Sequence, residues 1–187
     1  MGSANPARGV WAQARGEGFS ASAPVVGAGA ERREDGVDGL SMLKEDHDKV
    51  KKMLEELDST TERGVKTRED LFTKVKHELE VHEQIEEEIF YPALKDHPKT
   101  KELTLEAYEE HHVVDMVMAE IERVPFDDET WGAKFSVMKE NLEHHIEEEE
   151  GEMFKQARQV FDKDELAQLG ERMVARKQEL MGQAPAA

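Results

Sequence analysis

From residue 40 onward the apolar residues return every third or fourth position, the period of helices that each bury one face. Four long segments follow from this. Segment A, residues 39 to 58, lines up Leu40, Leu43, His47, Val50, Leu54 and Leu57. Segment B, residues 67 to 90, lines up Leu71, Val75, Leu79, His82, Glu86 and Ile89, and Pro92 with the "DHP" at 96 to 98 is expected to end it. Segment C, residues 101 to 123, carries Leu105, Tyr108, His111, Val114 with Asp115, Met118 and Ile121, and closes before Pro125. Segment D, residues 128 to 158, opens on "DDE" and carries Trp131, Phe135, Met138, Leu142, His145, Glu149 and Met153. A fifth, shorter segment at 162 to 181 puts Leu166, Leu169, Met173 and Leu180 on one side and reads as a helix that covers the core. No stretch alternates as a strand would.

The segments form a duplication. His47 and His111 are each followed by apolar residues three, seven and ten positions on, whereas His82 and His145 are each followed by Glu at four and five and a large apolar residue at eight. His47 and His82 are 35 residues apart, and His111 and His145 are 34 apart. Two similar helical hairpins in series predict an all-α, up-down-up-down four-helix bundle with a short C-terminal helix and an approximate twofold axis. The four stripe histidines would then meet at one level inside it. The bundle should span 40 to 181. Residues 1 to 39, rich in Gly, Ala and Ser and without period, read as a disordered N-terminal tail. Its "APVVGAGA" is too short and glycine-rich for a signal-peptide core, and Met42, where the periodic sequence starts, is a candidate translation start.

Charge narrows the choice of ligand. A formal net charge of −18 repels phosphate backbones and anionic lipid, which argues against nucleic acid and membrane partners and for a cation. There is no cysteine, so disulfides, thiolate metal sites and iron-sulfur clusters are excluded and any metal must be held by His and carboxylate. That absence fits a cytoplasmic location. No apolar run approaches the roughly 20 residues that span a bilayer, so a soluble protein is expected.

Residues four apart on a helix differ by about 40° of rotation and about 6 Å of rise, so His82 with Glu86, and His145 with Glu149, can serve one centre. A buried carboxylate without a partner costs several kcal/mol or takes up a proton. Two of them beside four inward histidines are resolved by one dication or a pair. Ligand type alone leaves Fe, Mn, Zn and Co open. Glu83, Glu87, Glu88, Glu147, Glu148 and Glu150 read instead as a solvated acidic face. Asp115 is a candidate ligand, a proton acceptor for His111, or the holder of a bound water. His112 and His144 rotate off the stripe, His77 is out of phase with His82, and His97 sits in a loop. Tyr108 reads as a core aromatic near the site.

The pattern H…HxxxE…H…HxxxE on His47, His82, Glu86, His111, His145 and Glu149 resembles the hemerythrin-like (HHE cation-binding) family. "EDHD" at 45 to 48, "HEQIEEEIFYPAL" at 82 to 94 and "EEHHVVDMVMAEI" at 109 to 121 are similar to that family's local phrasing. The resemblance covers about residues 40 to 158. It implies a non-haem di-iron centre, oxo- and carboxylate-bridged, that binds a small ligand such as O2, NO or peroxide, in a monomer or weak homo-oligomer. One departure stands out: the oxygen-carrying hemerythrins place two histidines one turn apart on the third helix, where this chain has His111 and Asp115. Sensing, peroxide chemistry or iron handling fit that donor set better than reversible oxygen carriage. The competing readings are a metal-free or zinc-binding acidic interaction module, a ferritin-like iron oxidase or store, for which only Glu109 with His112 has the required spacing, and an iron-sulfur repair protein of di-iron type.

Overall fold

Asp38 opens the first helix by accepting the backbone N–H of Leu40 at 3.2 Å, an N-cap that satisfies one of the helix's unpaired donors. The computed structural model describes residues 38–182. The tail expected over 1 to 39 lies outside them except for Asp38 and Gly39. In chain order the elements are α1 (Gly39–Asp58), α2 (Val65–Ile85), a π-helical turn π1 (Glu86–Phe90), α3 (Tyr91–Lys95), α4 (Lys101–Ile121), α5 (Glu129–Glu148), a second turn π2 (Glu149–Met153), α6 (Phe154–Val160) and α7 (Lys163–Met181). The backbone stays right-handed helical through both π turns, so α2–π1–α3 and α5–π2–α6 are continuous rods. With α1 and α4 they make the up-down-up-down four-helix bundle. α7, started by an Asp162–Glu165 capping box, packs on α1 and α2.

Pro92 does not end the second rod, which runs to Lys95. In π1 the Tyr91 N–H bonds back five residues to the Glu86 carbonyl, so the regular four-residue ladder is already interrupted where proline's missing donor falls. A second difference lies at the start of α4. Leu105 is 44% exposed, and Thr104 and Ala107 hold the core positions instead. Thr104 tolerates burial because its hydroxyl donates to the Thr100 carbonyl at 2.8 Å. On α2 the buried position falls to Phe72, with Leu71 half-buried.

Two apolar clusters fill the interior. One gathers Val50, Leu54, Leu57, Phe72, Val75, Trp131, Phe135 and Met138 toward the α1–α2 and α4–α5 loops. There Arg68 is buried against Trp131, 4.5 Å from the ring centroid, and donates to the Phe126 and Thr60 carbonyls at 2.6 and 3.2 Å, tying both loops together. The other joins Leu43, Ile85, Phe90, Tyr91, Phe154 and Met173 beneath α7. α1 and α7 approach closely enough that a Cβ at Gly39 would lie 3.1 Å from the Gly170 Cα, so a larger residue there would push the two helices apart by a few tenths of an ångström. Between the clusters lies a polar layer.

Leu54 is fully buried in the first cluster. Leu54→Ala should lower the unfolding free energy by about 2–5 kcal/mol in chemical denaturation, whereas Val137→Ala, half exposed on α5, should change it by less than about 0.5 kcal/mol.

Candidate metal centre

Each rod sends one imidazole into the polar layer: His47 from α1, His82 from α2, His111 from α4 and His145 from α5, joined by Glu86 and Glu149 where the π turns begin. All six are between 0% and 5% exposed, so whatever neutralises the carboxylates must be inside the protein. The two rings of each hairpin point their Nε2 atoms at each other, 3.1 Å apart for His47 and His82 and 3.1 Å for His111 and His145.

The outward Nδ1 atoms explain that orientation. His47 Nδ1 lies 3.1 Å from Glu150 Oε1, His111 Nδ1 lies 3.2 Å from Glu87 Oε1, and His145 Nδ1 lies 2.8 Å from Glu110 Oε2. His82 Nδ1 faces Asp46 Oδ2 more loosely, at 3.7 Å. A carboxylate at Nδ1 keeps the proton on that nitrogen and turns the Nε2 lone pair inward, the tautomer a metal requires. The four partners obey the duplication: Glu87 and Glu150 each follow a buried Glu by one, and Asp46 and Glu110 each precede a buried His by one. The sequence assigned Glu87 and Glu150 to the solvated face. Both are partly exposed, as that reading required, but their oxygens turn in to the imidazoles.

Two overlapping donor groups result. His47, His82, Glu86 and Glu149 each offer one atom within 4.8 Å of the others, as do Glu86, His111 and His145. Glu86 belongs to both: Oε1 is 3.3 Å from His82 Nε2 and Oε2 is 3.4 Å from His111 Nε2. Glu149 Oε2 also reaches across, 3.3 Å from His47 Nε2 and 3.9 Å from His145 Nε2. Glu86 Oε1 and Glu149 Oε2 are buried without a hydrogen-bond partner. Facing lone pairs and orphaned carboxylate oxygens, each unfavourable alone, become favourable together around cations. These donors fit a pair of divalent ions.

Protonation tells the same story. Burial opposes charge on His82, but Glu86, Asp46 and Glu149 outweigh it and push the imidazole up to about 10. Burial also opposes charge on Glu86, yet His82 and His111 hold it well below the usual carboxylate range. The pocket draws positive charge to itself, as protons or as metal.

Tyr91 is the site residue that sequence reasoning missed. Its hydroxyl donates to Glu149 Oε1 at 2.8 Å and lies 3.2 Å from His111 Nε2. Burial first, then Glu149 and Glu86, holds the phenol well above its ordinary value. On a regular helix its phase points elsewhere; the extra residue in π1 turns it inward. At the matching position after π2 stands Phe154, stacked on His47 with ring centroids 6.0 Å apart. Tyr108 is half-buried with its ring edge-on to Tyr91, 5.1 Å away.

Asp115 falls in neither donor group and is exposed on α4. One turn past His111 the helix has carried it about 40° around, toward α2. There it meets Glu83, which is buried rather than solvated and which burial pushes up to about 8. His112 is exposed, and His97 packs edge-on against Phe161 with centroids 5.1 Å apart.

Comparisons with known proteins agree with this geometry. Uncharacterized protein Rv2633c of Mycobacterium tuberculosis strain H37Rv is 34% identical over 116 residues, spanning 60% of this chain and 68% of that protein. Uncharacterized protein Mb2666c of Mycobacterium bovis gives the same values. The crystal structure of a hemerythrin HHE cation binding domain-containing protein, the Rv2633c homolog from Mycobacterium kansasii, matches with a TM-score of 0.71 at 29% identity, covering 78% of this chain and 88% of that one. The family model described as the hemerythrin HHE cation binding domain matches residues 38–157, the span that contains all six inward donors. By that match and by its converging imidazoles and carboxylates, the chain belongs to the hemerythrin HHE cation-binding domain family.

Proposed function

We propose that this protein is a non-haem di-iron protein that binds or senses a small ligand such as O2 or NO, or handles peroxide or iron, within the cytoplasm. The observation that carries the reading is the sharing of Glu86 between two donor groups, three of whose four imidazoles are oriented by a hydrogen-bonded carboxylate. One ion would be held by His47, His82 and Glu149, the other by His111 and His145, with Glu86 between them. When bound, a di-iron unit supplies reversible redox change and open coordination positions for a small ligand.

The chain's own residues set the conditions around it. The Tyr91 hydroxyl is a protonated donor aimed into the second group, able to hold a hydrogen bond to a ligand seated there or to pass it a proton at Oη. Phe90, Phe154 and Ile85 close the pocket from the α7 side and keep it dry. Dryness strengthens each electrostatic contact inside. Carboxylates hydrogen-bonded at the Nδ1 atoms of His47, His111 and His145 raise the electron-donating power of those imidazoles, which favours the oxidised metal and so suits sensing or peroxide chemistry above reversible oxygen carriage. The ferritin-like alternative finds no support, because Glu109 and His112 stay outside the polar layer.

Protein produced with ample iron should contain two irons per chain and show charge-transfer absorption that changes on addition of azide or peroxide. Stoichiometric zinc without colour would overturn the iron assignment. Glu87→Gln should weaken one of the two ions by about 10–100-fold and leave the other nearly unchanged, as it loosens only His111. Removal of metal by chelation should lower the unfolding free energy, by about 4 kcal/mol relative to protein held at a thousand times the dissociation constant; identical melting with and without chelator would point to the metal-free reading.

A further inference from the structure

α5 writes the His-x-x-x-Glu spacing twice in adjacent registers. His145 and Glu149 turn into the bundle. His144 and Glu148, rotated by about 100°, turn to the groove beside α4, where Glu110 meets them. One atom from each of Glu110, His144 and Glu148 lies within 4.8 Å of the others, with His144 Nε2 3.4 Å from Glu148 Oε1 and 3.9 Å from Glu110 Oε1.

The duplicated half shows what such a carboxylate normally meets. Asp46, the counterpart of Glu110, turns one oxygen to His82 and with the other accepts the Lys177 ammonium from α7. The counterparts of His144 and Glu148 are Val81 and Ile85, both buried on the face that α7 covers. Glu110 likewise turns one oxygen to a ligand imidazole, His145. Its other oxygen has no ammonium: among the described residues, no Lys or Arg lies within salt-bridge distance of Glu110 or Glu148. Where one half supplies a cation from its own chain, the other supplies an imidazole and a second carboxylate.

We infer that Glu110, His144 and Glu148 form a third, peripheral binding site for a first-row divalent cation, separate from the central pair. One nitrogen and two carboxylates suit Zn2+, Mn2+, Fe2+ or Co2+ with water completing the shell, and the nitrogen disfavours Mg2+ and Ca2+. The site is solvent-accessible, since the His144 side chain is 64% exposed. It is also joined to the interior, because Glu110 would bind the outer ion through Oε1 while holding His145 through Oε2. An ion held at the surface there would be one carboxylate away from the central donors.

Zinc titration of the metal-free full-length chain, followed by calorimetry and by competition with a chromophoric chelator, should show two tight equivalents and one weaker one. His144→Ala and Glu148→Gln should each weaken the third by about tenfold or more and leave the tight phase unchanged; His112→Ala, at an exposed histidine on α4, should alter neither. A wild-type chain that takes up only two equivalents to millimolar zinc would overturn the site, as would a third phase that ignores His144 and Glu148 or that falls equally with His112. The tight phase reads the central donors and the weak phase reads this cluster, so either assignment can fail while the other stands.

Discussion

Two buried carboxylates that each keep one oxygen without a hydrogen-bond partner, Glu86 at Oε1 and Glu149 at Oε2, set the terms for the whole molecule. Each demands positive charge at a depth where water cannot supply it. The four inward imidazoles are the response, and outward carboxylates in turn hold three of them by hydrogen bonds while Asp46 faces the fourth at 3.7 Å. The bundle is thus organised from the middle outward. Its apolar clusters lie on either side of a polar layer that they position and dehydrate, and neither cluster by itself would justify the acids and histidines placed between them.

The approximate twofold arrangement makes the departures from it informative. On the α1–α2 side the carboxylates that hold ligand imidazoles are compensated by lysines: Lys44 lies 2.8 Å from Glu150, Lys51 lies 3.5 Å from it, and Lys177 meets Asp46. On the α4–α5 side, among the described residues, Glu87 and Glu110 have imidazole partners alone. Uncompensated carboxylates pull harder on the Nδ1 protons, so His111 and His145 should be the stronger donors. Tyr91 against Phe154 adds to the inequality: one half presents a hydroxyl, the other a hydrocarbon face. Two donor groups built from one duplicated sequence have become chemically distinct.

α7 belongs to the same asymmetry. It covers the α1–α2 face with Leu169, Met173 and Leu180 and delivers Lys177, and the close contact between Gly39 and Gly170 lets it do so at short range. The equivalent face between α4 and α5 keeps its polar side chains. Among the described residues no helix is long and apolar enough to cross a membrane.

The sequence by itself determined the helical class, the four-rod bundle and the six inward-facing His and Glu positions, because a 3.6-residue period and a repeated His-x-x-x-Glu spacing are local properties, legible wherever helices are regular. His47, His82, Glu86, His111, His145 and Glu149 all lie where their phase put them. Tertiary structure decided what regular phase could not express. The π turns insert one residue into each ligand-bearing rod, and so brought Tyr91 to the site although its α-helical phase denied it. The cross-helix partners decided that Glu87, Glu110 and Glu150 hold imidazoles, that Glu83 is buried, and that Asp115 stays outside, since one acidic residue among many differs from its neighbours only in what the facing helix offers it. Those pairings depend on rotation and contact between rods, which no single segment encodes.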